Sequence, residues 1–184
     1  MPAKTNNFGL FEQERERTNP MVATLSSRLV ELRKKNLAVS LSSFEGSSHK
    51  LENIKTLNGV DFIDDARSTN INAVWFALQS MTKPTVWITN INTIENLTDE
   101  LRDIVTEKVQ AIVIQGVYNT DVYEYFASLD KPVYVEMNLE DAVSQAYYAC
   151  EKGYVVLYSP GVNSGAQQTY QEKGKKFQNA VGQL

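Results

Sequence analysis

The sequence contains few of the residues on which several kinds of site depend. Its 184 residues include one cysteine, Cys150, and one histidine, His49. A single cysteine excludes an internal disulfide, and one residue of each type is too few to predict a His/Cys zinc site. Cys150 lies in an apolar helical pattern, which predicts a buried, small hydrophobic side chain in mid-helix rather than an activated nucleophile.

Basic residues and long apolar runs are also scarce. The 18 Lys and Arg against 22 Asp and Glu give a formal net charge of -4. Nucleic-acid binding is therefore not predicted, since it requires clustered basic residues. No apolar run approaches the roughly 18 residues of a membrane span, and the first 20 residues lack the apolar core of a secretory signal. We therefore expect a cytoplasmic protein without a membrane span or a nucleic-acid partner.

Several well-known functional motifs are absent as well. The sequence has no G-x-x-x-x-G-K-[ST] loop, no G-x-G-x-x-G after a strand and no G-x-S-x-G elbow. Asp and Glu pairs occur, but none is placed in an obvious cleft for acid–base chemistry. We therefore predict no catalytic residue and no metal site.

The chain divides into three parts by composition. Residues 1–20 are polar and charged and are expected to form a flexible tail. Its small apolar cluster, Phe8–Phe11, is either incidental or a short docking motif. Residues 21–48 predict a helix followed by a Ser-rich linker, and residues 49–184 predict an α/β domain.

The α/β domain is predicted from alternating apolar strands and amphipathic helices. Asn58-Gly59 between two apolar runs predicts a hairpin with a type I′ turn. Near-continuous apolar strands joined by helices indicate a mostly parallel sheet covered on both faces, with the hairpin at or near one edge. Further strands are predicted at 85–89, 111–115, 132–136 and 154–159, and helices around 71–78, 97–105, 121–129, 138–152 and 168–183.

Two loops at the predicted carboxyl edge of the sheet carry groups suited to a ligand. Residues 64–70, DDARSTN, place carboxylates, a guanidinium and a hydroxyl at a helix N-terminus, which favours anions. The alternative is a helix capped by Thr69 or Asn70 and preceded by solvated charges. Residues 159–165, SPGVNSG, form the second loop, in which Ser164 either hydrogen-bonds a ligand or caps the last helix.

Three motifs together resemble a known family. GVDFIDDARSTNINAVWFAL is similar to G-V-x-F/W-x-N-D-S-K-A-T-N, which opens the C-terminal domain of Mur ligases. FEGSSHKLENI resembles the family's F-x-G-x-x-H-R-x-E-x-V, and VVLYSPGVNSGAQQTYQEKGKKF resembles its S-P-A-x-A-S and F-x-x-R-G-x-x-F. The match runs over roughly 37–184 and is nearest to the UDP-N-acetylmuramoyl-L-alanine:D-glutamate ligases. It implies a Rossmann-like, three-layer α/β sandwich.

The resemblance implies ligand-binding roles for five residues. Lys50 stands where the family has an arginine that approaches the nucleotide, and Asp65 matches the aspartate associated with the ATP ribose. Arg67 replaces a lysine that contacts the substrate carboxylate, and Thr69 matches the neighbouring threonine. Ser164 matches the serine that binds the amino-acid substrate.

Departures from the family pattern lower the expectation of ligase activity. The family's G-G-x-D-K loop, with its substrate lysine, reads TNINT at 89–93. The resemblance covers only the third of the family's three domains, and the 36 residues before Leu37 are too few for the UDP-sugar and ATPase domains. No cofactor is expected to be required, and ATP with Mg²⁺ is expected only if a partner supplies the nucleotide domain.

Three functions are compatible with these expectations. The first is a non-catalytic binding or regulatory module linked to cell-wall synthesis. The second is the substrate-binding piece of a split ATP-dependent D-glutamate ligase, and the third is a structural scaffold that reuses the fold. A protein partner is expected, and the sequence is also compatible with a homo-oligomer.

Overall fold

A computed structural model describes residues 48–95, 97–162 and 169–184. The predictions for the tail 1–20, for the helix and linker up to residue 47, and for Ser164 lie outside these residues. Within them, strands and helices follow one another in the predicted order. The strands are β1 Glu52–Leu57, β2 Val60–Asp64, β3 Thr85–Thr89, β4 Val109–Gln115, β5 Val133–Glu136 and β6 Val155–Tyr158. The helices are α1 Ile71–Ser80, α2 Asp99–Lys108, α3 Thr120–Ala127, α4 Leu139–Tyr148 and α5 Tyr170–Gly182.

The six described strands form one sheet in the order β1-β2-β6-β3-β4-β5. β1 pairs antiparallel with β2, and every other neighbouring pair is parallel. Asn58 and Gly59 join β1 to β2 with φ angles of 52° and 85°, the two positive values that a type I′ turn requires. These findings confirm the mostly parallel sheet with an antiparallel hairpin at one edge.

Helices cover both faces of the sheet, which gives the predicted three layers. On one face, α4 and α5 bury a cluster that includes Val143, Phe177 and, from the sheet, Phe62. On the other face, α1, α2 and α3 bury a cluster centred on Trp87 of β3. The chain crosses back after β5 and inserts β6 between β2 and β3, so the carboxyl ends of β2, β6 and β3 lie side by side.

The end of α4 differs from the prediction. Asn138 caps α4, but the helix ends at Tyr148 rather than at the predicted Lys152. Cys150 therefore follows the helix instead of lying within it, and its partial burial raises the pKa of the thiol to about 12. None of the described helices is both long and apolar enough to cross a membrane.

The start of α3 also differs from the prediction. Asn119 caps this helix by accepting a hydrogen bond from the Val122 N–H at 3.2 Å. The helix therefore begins one residue earlier than predicted, because an asparagine side chain already satisfies its first turn.

Candidate functional site

A buried polar cluster links the segment before β1 to the end of β2 and to α5. His49 Nδ1 lies 2.7 Å from Asp64 Oδ2, and Gln178 Nε2 donates to the same oxygen at 3.2 Å. The second oxygen, Asp64 Oδ1, accepts from the Ala66 N–H at 3.0 Å. We call His49, Asp64 and Gln178 the His49 cluster. His49 is 6% exposed and Asp64 is fully buried, so the cluster fixes three chain segments in the interior.

A glycine allows α5 to pack directly against the imidazole ring of this cluster. A Cβ on Gly174 would lie 2.0 Å from His49 Nδ1, closer than any non-bonded contact. Gly174 therefore serves close packing, which explains why α5 tolerates a residue that weakens helices by about 1 kcal/mol relative to alanine.

The sequence predictions missed the role of His49, although a signal for it was present. His49 lies in FEGSSHKLENI, Asp64 in FIDDARSTN and Gly174 in YQEKGKKF. The three motifs that carry the family resemblance therefore meet at one buried point. Their contact could not be predicted from their spacing in the sequence, because it depends on how α5 packs on the sheet.

His49, Glu52 and Asp64 could hold a metal ion, since one ligand atom from each lies within 4.8 Å of the others. The same atoms are already used inside the protein. Glu52 Oε2 accepts from the His49 N–H at 2.9 Å, and both oxygens of Asp64 are occupied as described above. A metal ion would have to displace these hydrogen bonds, so the arrangement is better explained as a structural cluster.

Asp65 points into the protein interior. Its carboxylate accepts from Ser159 Oγ at 2.8 Å and also from the Ser68 side chain and the Leu51 N–H, and the residue is 1% exposed. Burial raises the pKa of Asp65 to about 7, with a smaller contribution from the charge of Asp64. The alternative of solvated charges before the helix is therefore wrong for these two aspartates.

Lys50 lies on a tight turn whose backbone is held in an uncommon conformation. Its neighbours His49 and Leu51 have φ angles of 62° and 48°, in the left-handed region that non-glycine residues rarely adopt. The Arg67 N–H donates to the His49 carbonyl at 3.1 Å, which ties this turn to the loop after β2. Residues in such conformations persist only where surrounding contacts hold them.

The turn brings Lys50 close to Arg67 and Asp65. Burial lowers the pKa of Lys50, the charge of Asp65 raises it and the charge of Arg67 lowers it again. Arg67 is exposed, and its guanidinium lies 5.5 Å from the centre of the Tyr170 ring. Three of the five predicted site residues thus come together, and we call Lys50 and Arg67 the basic corner.

Thr69 lies in a neighbouring cleft of about 510 Å³, which we call the α1 cleft. Asn70, rather than Thr69, caps α1, with its Oδ1 accepting from the Ala73 N–H at 3.0 Å. The described residues that line the cleft include one carboxylate, Glu95, and no basic side chain. They are Thr69, Asn70, Ile71, Asn72, Asn92, Glu95, Thr98, Gly161 and Val162.

The segment TNINT, at the place of the family's lysine loop, is used largely for internal contacts. Thr89 Oγ1 donates to the Pro160 carbonyl at 3.2 Å, and Asn90 Nδ2 donates to the Gln115 carbonyl at 3.0 Å. Ile91 is buried. Asn92 alone of these five residues lines the α1 cleft.

Ser164 lies outside the described residues, so its ligand role stays a prediction. Its alternative role as the cap of the last helix is wrong. Thr169 caps α5, and Glu172 completes a capping box by accepting from the Thr169 N–H at 2.8 Å.

Comparisons with known proteins agree with the resemblance seen in the motifs. No protein-family profile matches the sequence. The chain is 37% identical over 168 residues to the UDP-N-acetylmuramoylalanine--D-glutamate ligase of Bacteroides fragilis, covering 90% of this chain and 38% of that ligase. It is 36% identical over 167 residues to the ligase of the same name from Christiangramia forsetii, again covering 90% and 38%. The chain thus spans less than half the length of the curated relatives it matches.

A solved structure supports the fold. UDP-N-acetylmuramate-alanine ligase MurC from Thermotoga maritima superposes with a TM-score of 0.52 at 14% identity, covering 77% of this chain and 31% of that one. At this identity the likeness concerns the architecture alone.

Proposed function

The chain is homologous to the C-terminal domain of the Mur ligases, and from this premise we propose that it is a non-catalytic module that binds a phosphate-bearing nucleotide. The observation that supports this proposal is the basic corner, where Lys50 and Arg67 come together beside Asp65. We place the module in the cytoplasm, in cell-wall synthesis, acting on a protein partner.

The basic corner suits a phosphate group for two reasons. A guanidinium presents a planar fork of donors that matches phosphate oxygens, and the Lys50 ammonium adds a compact point charge. The charges of Lys50 and Arg67 act on each other, since the pKa of Lys50 is lowered by burial and also by the charge of Arg67, and an anion between two such cations is stabilised by both. The corner is formed by the backbone bond from Arg67 to His49 and by the His49 cluster behind it.

The α1 cleft is poorly suited to D-glutamate, which carries two carboxylates. Glu95 is the one charged side chain among its described lining residues, and its carboxylate repels an acidic ligand. The N–H groups at the start of α1 favour an anion, but this effect is typically worth only about 0.3–1 kcal/mol at an exposed site. Weak or absent amino-acid binding is therefore part of the proposal.

The basic corner is tested by measuring the binding of ADP to the full chain by calorimetry. Replacing both cations in Lys50→Gln/Arg67→Gln is expected to weaken ADP binding at least tenfold, because hydrogen bonds to charged groups contribute about 1.5–3 kcal/mol each. Lys83→Gln is the matched control. Lys83 pairs with Asp61 at 2.6 Å and lies just before β3, at the amino end of that strand, whereas the basic corner follows the carboxyl end of β2. Equal affinity of the double variant and the wild type for ADP would refute the proposal.

The absence of ligase activity is tested with ATP, Mg²⁺, D-glutamate and UDP-N-acetylmuramoyl-L-alanine. We expect no ligated product from the purified chain, because the sequence contains no loop that could hold and polarise the γ-phosphate. Product formation above the level without protein would show that the module is catalytic.

A second candidate is the substrate-binding piece of a split ligase. It is favoured by the position of Thr69 in the α1 cleft, two residues after Arg67 in the sequence. This candidate requires a separate chain that supplies the nucleotide-binding domain. Co-purification of such a chain, with ligation that depends on both chains and is reduced by Thr69→Val, would support it over the first.

A further inference from the structure

A second polar cleft lies on the face of the sheet opposite to the α1 cleft. It takes no part in the proposed function. It measures about 300 Å³ and opens at the carboxyl ends of β3, β4, β5 and β6, between α4 and α5. We call it the α4–α5 cleft. It is lined by Asn90, Gln115, Met137, Asn138, Leu139, Glu140, Tyr158, Lys173 and Lys176.

The most unusual group in this cleft is the buried ammonium of Lys173. Lys173 is 5% exposed, and its Nζ donates to the Val162 carbonyl at 3.3 Å. An ammonium has three N–H donors, yet no ion pair involves Lys173 within the part of the chain that the structure describes. Burial lowers the pKa of Lys173, and among residues 48–95, 97–162 and 169–184 no carboxylate acts in the opposite direction. A buried cation is costly unless an anion accompanies it.

The other charges around the cleft leave an excess of one positive charge. Lys176 follows Lys173 by one helical turn and is exposed, and Glu140 contributes the carboxylate among the lining residues. Lys176 also lies near Glu172, whose pKa it helps to lower. Glu172 is already engaged in the capping box of α5, on the solvent side of the helix.

The remaining lining groups provide hydrogen-bonding partners for the body of a polar ligand. Asn138 caps α4, so the N-terminal N–H groups of that helix lie at the rim of the cleft. Tyr158 OH lies 3.4 Å from Asn90 Oδ1, and Gln115 Nε2 donates to the Met137 carbonyl at 3.3 Å. Asn90 Nδ2 also donates to the Gln115 carbonyl at 3.0 Å and to Gln115 Oε1, so the Tyr158 hydroxyl and Gln115 Nε2, whose bonds are the longer ones, are the groups most readily exchanged for bonds to a ligand.

We propose that the α4–α5 cleft binds a small polar anion whose carboxylate or phosphate group lies against Lys173 and is further neutralised by Lys176. The volume of the cleft is at the lower end of the range for ligand pockets, so the ligand is a compact metabolite and not a whole nucleotide. The proposal does not depend on the proposed function, because neither Lys50 nor Arg67 lines this cleft.

The test is an NMR titration of the full chain, with glutarate as the dicarboxylate probe and inorganic phosphate as the other. We expect the side-chain amide signals of Asn90, Gln115 and Asn138 to shift and saturate with at least one probe, and the probe that saturates identifies the anionic group. Lys176→Gln should weaken this binding roughly fivefold to tenfold, and Lys173→Met should abolish it, as expected for losing charge-assisted hydrogen bonds.

Two comparisons make the result decisive. Lys175→Gln removes a neighbouring charge on the exposed face of α5 and should leave the titration unchanged, as should Lys83→Gln, since Lys83 pairs with Asp61 and does not line the cleft. If Lys173→Met does not fold, the difference between Lys176→Gln and Lys175→Gln still decides the question. Absence of saturable shifts with both probes, or equal weakening by Lys175→Gln and Lys176→Gln, would overturn the proposal.

Discussion

Gly174→Ala is expected to lower the free energy of unfolding by about 3 kcal/mol, although alanine is the better helix former by about 1 kcal/mol. The added methyl group would lie 2.0 Å from His49 Nδ1, so the ring must move. Overpacking of this kind costs about 1–3 kcal/mol. Losing the bond between His49 and Asp64 adds about 1–3 kcal/mol, because Asp64 stays buried. The midpoint of thermal unfolding should fall by about 6–12 °C.

A control for this prediction is available in the same helix. Gly182 lies at the end of α5, where a Cβ would meet nothing within 4 Å, so Gly182→Ala should leave stability unchanged or raise it slightly. His49→Ala/Gly174→Ala should be less destabilised than the sum of the two single variants, because removing the imidazole makes room for the methyl group. A neutral Gly174→Ala variant would contradict the described contact.

The pH dependence of stability should show a contribution of roughly 4 kcal/mol from Asp65. Its pKa is raised from the ordinary 3.8 to about 7, so the folded protein binds this proton more tightly than the unfolded chain. The stabilisation is complete below about pH 4. It is lost as the pH rises to about 7, since the unfolded chain ionises first. Above that pH, both states carry the charge and the contribution is gone.

Urea unfolding of the wild type and of Asp65→Asn across this range isolates the effect, because all other titrating groups are common to both proteins. We expect the wild type to lose stability relative to Asp65→Asn as the pH rises. Asp61→Asn is the control with the opposite sign. Lys83 lowers the pKa of Asp61. The ionised Asp61 therefore contributes to the free energy of unfolding at neutral pH, and this contribution is lost in acid. A difference between the wild type and Asp65→Asn that does not change with pH would contradict the burial of this carboxylate.

Elements bounded by strong local signals were predictable from the sequence. TVWIT, predicted as a strand at 85–89, is β3 with the same boundaries, because Pro84 precedes this apolar run and polar Asn90 follows it. The hairpin was predictable from Asn58-Gly59, since few dipeptides accept two positive φ angles. Both signals lie within a few residues of the structure that they specify.

The end of α4 was not predictable in this way. The apolar pattern continues past Tyr148, but the helix stops there and the Gly153 N–H donates to the Gly59 carbonyl at 2.9 Å. Gly153, with a φ of 95°, makes the turn that brings β6 alongside β2. The boundary is therefore set by a contact with the distant hairpin and not by the local pattern.

The alternation of strands and helices, the edge hairpin and the group of polar residues after β2 could all be predicted from the sequence. These depend on periodicity and turn chemistry, which act over short distances along the chain. Three features became visible only in the folded protein: Asp65 points inward, Lys50 and Arg67 lie near each other, and Gly174 makes room for His49. These features arise because β6 and α5, the last two elements of the chain, pack against β2, which lies about 90 residues or more before them in the sequence. Burial, desolvation and steric exclusion arise only when such distant segments meet.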